Sequence, residues 1–566
     1  MVHNWRINFL LIFFFLGGAL IVCRLFYWQV LSFGDLTASA ESQHWVSFEV
    51  PAKRGEILAS DSSPLTANQE SFLLFASLPD IKDSPDKITE ALEPIINKEE
   101  SATMTASLKE RLSQPNLVWV PLKHKISRDE KKEVEALKLP GLGFEEEQKR
   151  SYPEGSASAH LLGFVGSDAN GAEQGYFGLE GYYDLELKGR PGVLKREKDA
   201  AGKPILIGEV KKENERNGRT LLTTIDRTVQ YILWERLQDG INRYGAVSGT
   251  AVVMEPQTGA ILGMVSFPNY DPVNYSLFDR NLYSNPAVSS AYEPGSTFKV
   301  LVMAAALNEG LVKPETRCDK CSGPRVISDY TIKTWNEKYF ANSTMTEVIQ
   351  HSDNVGMVYV GQKLGVNKMV DYLQSYGFGQ KTGIDLEDEG SPQLRLAEDW
   401  KEIDLATSSF GQGIAVTPLQ MVRAVGAIAN RGHLVTPFLV KKVISEEGVS
   451  EISPKSSQEV FKSSTALMVT EMMVNAVENG ESKWAKPQGY RIAGKTGTAQ
   501  IPVAGHYDKD KTIASFVGFA PADDPKFVML VTLREPTSSP WGAETAAPLW
   551  FDMAKEIFTY YGIQPN

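Results

Sequence analysis

Tyr292-Glu-Pro-Gly-Ser296-Thr-Phe-Lys299, running on into Val300-Leu-Val-Met-Ala-Ala-Ala-Leu307, is the stretch on which the reading of this chain turns. Pro294 and Gly295 spell a turn, and the apolar run after Lys299 spells a buried helix. Ser296 therefore stands at a helix N-terminus, with Lys299 one turn further along the same face. A helix start also offers free backbone N–H groups and a positive dipole end, both suited to a developing oxyanion. A serine hydroxyl is a poor nucleophile until a base removes its proton. A lysine can be that base only if burial or a nearby cation lowers its pKa, and the apolar helix supplies the burial.

Ser-x-x-Lys alone is weak, since ordinary composition yields roughly one or two in a chain of this size. Ser84-Pro-Asp-Lys87 is such a match, in a polar stretch with no apolar run behind it. Order along the chain is what strengthens the later copy. Ser352-Asp353-Asn354 follows it, and then Lys495-Thr496-Gly497-Thr498. Asp353 reads as a surface or capping residue. Lys381-Thr382-Gly383 is a second Lys-Thr-Gly, but it leads into Ile384-Asp-Leu-Glu-Asp-Glu389, which would set carboxylates beside an anionic substrate. Arg491-Ile-Ala-Gly-Lys495 instead leads a strand-like run in which Gly497 permits close approach of another backbone.

Working outward, Ile7 to Cys23 (INFLLIFFFLGGALIVC) carries no charge, and Arg24, Tyr27 and Trp28 follow it. With a snorkelling arginine and interfacial aromatics, this is long enough to cross a bilayer. Ala38-Ser39-Ala40 resembles a signal-peptidase site, but the apolar core exceeds the usual ~7–15 residues, so an uncleaved anchor is expected. Beyond it, residues 40–218 mix alternating runs with charged helical stretches, an α+β texture that ends in the polar Lys211–Gly218. In residues 219–566, Gly249–Met254 and Ala260–Val265 flank a turn at Pro256–Gly259, and Ser515–Ala520 and Lys526–Thr532 are strand-like. Strands at both ends with helices between predict an antiparallel sheet backed by a helical cluster.

The chain has 566 residues with a formal charge of −12, which argues against nucleic-acid binding. Cys318-Asp-Lys-Cys321 has metal or redox spacing, yet no second pair exists to complete a zinc site. A local disulfide or idle thiols are the readings left ahead of zinc or a redox pair.

Ser-x-x-Lys, Ser-Asp-Asn and Lys-Thr-Gly in this order are the signature shared by penicillin-binding proteins and class A β-lactamases. The chain resembles a class B penicillin-binding protein over nearly its whole length. Arg54-Gly-Glu-Ile57, Arg150-Ser-Tyr-Pro153, His160-Leu-Leu-Gly163, Gly178-Leu-Glu180 and Gly189-Arg-Pro-Gly192 are similar to that family's pedestal motifs. Ser409-Phe-Gly-Gln-Gly413 and Thr417-Pro-Leu-Gln420 are similar to its catalytic half. The resemblance implies an α+β protein with a cytoplasmic tail (1–6), a transmembrane anchor (7–30), a pedestal domain (40–218) and an extracytoplasmic transpeptidase domain (219–566). It implies that Ser296 attacks the carbonyl between the terminal D-alanines of a stem peptide while Lys299 takes the proton. Ser352 would relay a proton to the leaving amine, with Lys495 supplying charge beside it, and Asn354 would hold the substrate amide. Thr496 and Thr498 would bind the donor carboxylate along the Gly497 strand, and the backbone N–H groups of Ser296 and Thr498 would form the oxyanion hole. No cofactor and no metal is implied. Peptidoglycan stems and β-lactams are the expected ligands, and a polytopic glycosyltransferase with other division proteins the expected partners at the inner membrane. Ser-Asp-Asn resembles division-type more than elongation-type members. The competing functions are a β-lactamase or β-lactam sensor on the same scaffold, and a non-catalytic cell-wall scaffold.

Overall fold

The computed structural model describes residues 4–37, 45–96, 102–114, 117–169, 171–197, 210–452, 457–503 and 506–565. They fall into two compact units, Met1–Arg54 with Gly189–Gly218, and Gly55–Lys188 with Arg219–Asn566.

In the first unit, helix α1 (Trp5–Phe26) runs into a wider turn at Tyr27–Leu31. Together these form one apolar helix long enough to cross a membrane, and none of its residues is buried against protein. Arg24 lies over the rings of Tyr27 (5.2 Å) and Trp28 (4.8 Å), the interfacial grouping expected at the end of such a span. The Ala38–Ala40 stretch lies outside the described residues. Trp45–Val50 pairs antiparallel with Gly192–Glu197, and that strand with Val210–Glu213.

The second unit begins with a three-stranded antiparallel sheet in which Ala67–Ser77 lies between Trp119–Ile126 and Leu142–Ser151. Its apolar face (Phe72, Leu74, Ala76) is covered by Ile88, Leu92 and Val134 from flanking helices. Two of the sequence motifs meet here. Arg150 donates from Nε to Glu180 (2.7 Å) and from Nη1 to Asn68 (2.9 Å), and the Arg150–Glu180 pair is buried. His160 is also buried, against the Leu282 carbonyl (2.9 Å), and burial pushes its pKa down to about 4. Ile57–Leu58 pairs in parallel with Leu221–Leu222, so the sheet that opens the C-terminal half borrows a strand from the N-terminal one.

The sheet that matters for chemistry contains β1 (Ser248–Met254), β2 (Ile261–Phe267), β3 (Ala493–Val503), β4 (His506–Ala520) and β5 (Phe527–Arg534). Its order is β2-β1-β5-β4-β3, antiparallel throughout, with β3 at an edge. Alternation along the strands sorts side chains to two faces. Ala251, Val253, Phe516, Met529, Val531 and Leu533 pack on α2 (Arg227–Tyr244) and the C-terminal helix Ala546–Tyr561. Val252, Met254, Val517, Phe519, Val528 and Leu530 pack on a second helical group containing α3 (Lys299–Asn308), α4 (Asn354–Leu364), α5 (Pro418–Ala429) and α6 (Ser463–Asn479). The sheet is thus covered on both faces rather than backed on one. Each fully buried large apolar side chain there contributes about 1.5–3 kcal/mol. That fixes the edge strand β3 against the start of α3.

Candidate active site

The turn predicted at Pro294–Gly295 is present, and Gly295 to Phe298 form a tight turn that leads into α3. Gly295 has φ +56° and donates from its N–H to the Gly411 carbonyl (3.0 Å), a left-handed conformation that suits glycine. Every residue from Lys299 to Leu307 is buried. The helix interior therefore surrounds the Lys299 amine, while Ser296 remains at the cleft surface.

Lys299 Nζ lies within hydrogen-bond distance of the Ser352 carbonyl (2.6 Å), Asn354 Oδ1 (2.8 Å) and Ser352 Oγ (3.2 Å), so that as a neutral amine it can donate to the first two and accept from the Ser352 hydroxyl. Lys495 Nζ reaches the same Ser352 Oγ at 2.9 Å, and the Thr496 hydroxyl and carbonyl at 3.1 Å each. One hydroxyl is thus held between two buried amines. Ser352 has φ +55°, a left-handed conformation uncommon outside glycine, which turns its carbonyl onto Lys299. Asn354 opens α4 and donates from its Nδ2 to the Lys333 carbonyl (3.0 Å). Asp353 is buried and caps α4 through Val355 N–H (2.8 Å), so it is the capping residue and not a surface one.

Burial is the main cause of the low Lys299 pKa, which lies well below the ordinary amine value. The charge of Lys495 adds to the lowering, and Asp353 and Glu481 oppose it. Burial brings Lys495 down to about 8, with Glu481 opposing. Two like charges sharing one hydroxyl disfavour each other, so burial and mutual repulsion together favour a pair that carries one positive charge rather than two.

Gly497 lies opposite Ser515 on β4. A Cβ at Gly497 would stand 2.4 Å from Ser515 Oγ and 2.8 Å from Thr297 Cγ2. The close approach that this glycine allows is between β3 and the Ser296 turn itself. Gly497→Ala should force these apart at an overpacking cost of about 1–3 kcal/mol. The expected result is at least a roughly tenfold drop in the rate of acylation by a fluorescent penicillin, with the secondary structure by circular dichroism unchanged. Thr498 Oγ1 accepts from Gly542 N–H (2.9 Å), which ties β3 to the segment before the C-terminal helix.

These residues surround one cleft of about 360 Å³ lined by Ser296, Ser352, Asn354, Thr496, Gly497 and Thr498, with Lys299 and Lys495 buried beneath it. All eight residues singled out in the sequence therefore converge. The two decoys lie elsewhere. Ser84 starts a pedestal helix, where its hydroxyl accepts from Lys87 N–H (3.4 Å), and Lys87 is ion-paired with Asp83. The Thr382 hydroxyl and the N–H groups of Thr382 and Gly383 are closed onto the Glu389 carboxylate. The cleft also contains residues that sequence reasoning did not single out: Trp335, Trp484 and Trp541, with Glu481 and Glu544. Trp335 and Trp541 pack at 4.9 Å. Phe410 and Gln412 fall in the Ser409–Gly413 motif, the signal that could have found them. Cys318 and Cys321 form a buried disulfide. Among the described residues no group of three or more His, Cys, Asp or Glu could hold a metal ion.

The chain is similar to known proteins along nearly its whole length. The family described as "Penicillin binding protein transpeptidase domain" matches residues 249–558, and "Penicillin-binding Protein dimerisation domain" matches residues 49–223. Stage V sporulation protein D of Bacillus subtilis is 36% identical over 568 residues, spanning 99% of this chain and 86% of its own length. Peptidoglycan D,D-transpeptidase FtsI of Escherichia coli is 29% identical over 573 residues, 100% of this chain and 93% of its own. Penicillin binding protein 3 of Mycobacterium tuberculosis, solved in complex with aztreonam, superposes with a TM-score of 0.70 at 25% identity, covering 92% of this chain and 98% of its own.

Proposed function

The chain belongs to the class B penicillin-binding proteins of the division type, and from that premise we propose what each residue of the cleft does in its reaction. It is a serine D,D-transpeptidase of cell-wall synthesis, with peptidoglycan as substrate and β-lactams as inhibitors. Neutral Lys299 takes the Ser296 proton as Oγ attacks the carbonyl between the two terminal D-alanines. The N–H groups of Ser296 and Thr498 receive the oxyanion, with the positive end of α3 behind it. Collapse expels the last D-alanine, whose amine takes a proton through Ser352, and leaves an ester on Ser296. The amine of a second stem peptide then attacks that ester, and Ser296 recovers its proton as the cross-link forms. Lys495 stays charged beside Ser352, Thr496 and Thr498 hold the donor carboxylate, and Asn354 holds the stem amide. The observation that carries this reading is the Ser352 hydroxyl suspended between two buried lysines at the floor of the Ser296 cleft.

The wider assignment follows the same lines. Residues 1–6 are the cytoplasmic tail, 7–30 the anchor in the inner membrane, 40–218 the pedestal and 219–566 the extracytoplasmic catalytic domain. The dimerisation and transpeptidase matches and the apolar helix support it. A polytopic glycosyltransferase and other division proteins are the proposed partners, and septal synthesis the proposed setting, in keeping with the FtsI relative. The test of the reaction is incubation of detergent-solubilised protein with a polymerised stem-peptide donor, followed by muropeptide analysis. Cross-linked dimers that disappear with penicillin are expected. Release of D-alanine without dimers would point instead to a hydrolase on the same scaffold.

A further inference from the structure

Helix α6 ends at Asn479 and delivers the next residues to the cleft. Its C-terminal end is tied down close to Ser352. Asn475 Nδ2 donates to Gln350 Oε1 (2.9 Å), and Gln350 Nε2 donates to the Asn479 carbonyl (3.4 Å). Gly480 leaves no room for adjustment, since a Cβ there would meet the Ala476 carbonyl at 2.2 Å and the Gln350 carbonyl at 3.0 Å. Ser482 on the other side is buried. Between them Glu481 lines the cleft beside Ser296, Ser352 and Thr496. One of its carboxylate oxygens is buried with no hydrogen-bond partner among the described residues. Such an oxygen is costly unless an opposite charge stands nearby. Its charge bears on both Lys299 and Lys495.

We propose that Glu481 is a positioning residue for the transpeptidase reaction, a fixed carboxylate in the cleft wall that holds the positive charge of Lys495 beside Ser352. The inference rests on the roles proposed above for Lys299 and Lys495. Asp353 favours charge on Lys299 more than Glu481 does; one of its oxygens caps α4 through Val355 N–H and the other is buried without a hydrogen-bond partner among the described residues, but it is not among the groups acting on Lys495. Glu481 acts on both amines, and it is the carboxylate that opposes burial at Lys495. The other charged groups nearby are turned elsewhere. Glu544, across the cleft, is exposed and accepts from the Ser539 hydroxyl (2.6 Å). His351 is stacked on Phe340 at 4.1 Å and acts on Asp353. Beside this carboxylate, Lys495 keeps the ammonium form that the leaving amine and donor carboxylate need.

The pH profile of acylation by a fluorescent penicillin, measured on the full-length protein, tests this. The acid limb reports Lys299 losing its proton, and the alkaline limb reports Lys495 losing its own. Glu481→Gln removes a charge that holds protons on both, so both limbs should move to lower pH, the alkaline one by about one unit. Glu481→Asp should keep the wild-type limbs, and Asp353→Asn should move the acid limb alone. Glu481→Ala repeats the test if the glutamine variant is not stably folded. Unmoved limbs in a charge-removing variant with a wild-type unfolding temperature overturn the proposal, as does movement of the acid limb alone. Failure of the wild type to be labelled at any pH would sink the lysine roles as well, and is thereby distinguished from failure of this inference.

Discussion

Ser296→Ala should abolish the covalent penicillin adduct and all cross-linking while leaving the fold intact. The expectation follows from where the oxygen sits. Ser296 stands at the cleft surface above buried groups, so losing its Oγ removes no packing and opens no cavity. The hydrogen bonds of Lys299 are to Ser352 and Asn354, and these remain in the variant. Ser352, the other cleft serine with motif spacing, is buried and engaged by two lysines, so it cannot substitute as nucleophile. Intact mass after incubation with penicillin should show one adduct on the wild type and none on the variant, with matching circular dichroism spectra.

Lys299→Arg should be nearly as damaging, and raising the pH should not rescue it. Arginine retains the positive charge, yet it cannot give up its proton in a protein. The variant therefore separates charge from basicity. A general base contributes about 10²–10⁴-fold, and the acylation rate should fall within that range. In the wild type the sign of the pH dependence follows from the two depressed amines. Activity appears as Lys299 loses its proton, well below the ordinary lysine range, and is lost as Lys495 deprotonates near pH 8. A stopped-flow acylation series from pH 5 to 10 on both proteins checks this. A variant retaining more than about a tenth of wild-type acylation would mean that another group is the base.

The chemistry was legible in the sequence wherever it is local. Ser296 and Lys299 stand close together where a turn enters a helix whose apolar run announces its own burial, whereas Asp353 reads equally as a surface or a capping residue until α4 is in place. The sheet strands were legible by alternation and by the Pro256–Gly259 turn, though their second helical cover was not. That cover depends on which residues of β1 and β5 face each way once five strands are registered. The same limit hid Glu481 and the three tryptophans. Nothing in Asn479-Gly-Glu481-Ser marks a carboxylate for the cleft, because its place is set by α6 packing and by a hydrogen bond to Gln350, more than a hundred residues earlier. Gly497 is an intermediate case. The sequence marked a close approach, and only the register of β3 identified Ser515 and Thr297 as what approaches. The two decoys, Ser84–Lys87 and Lys381–Gly383, show how a short pattern takes meaning from surroundings it does not contain.

The most direct test is tandem mass spectrometry of a proteolytic digest taken after brief incubation with a stable β-lactam. The acyl mass should be found on the peptide containing Ser296, at that residue, and should persist for many turnovers of a β-lactamase. An adduct on Ser352 or Ser84, or one lost within seconds, would contradict the assignment of Ser296 as the transpeptidase nucleophile.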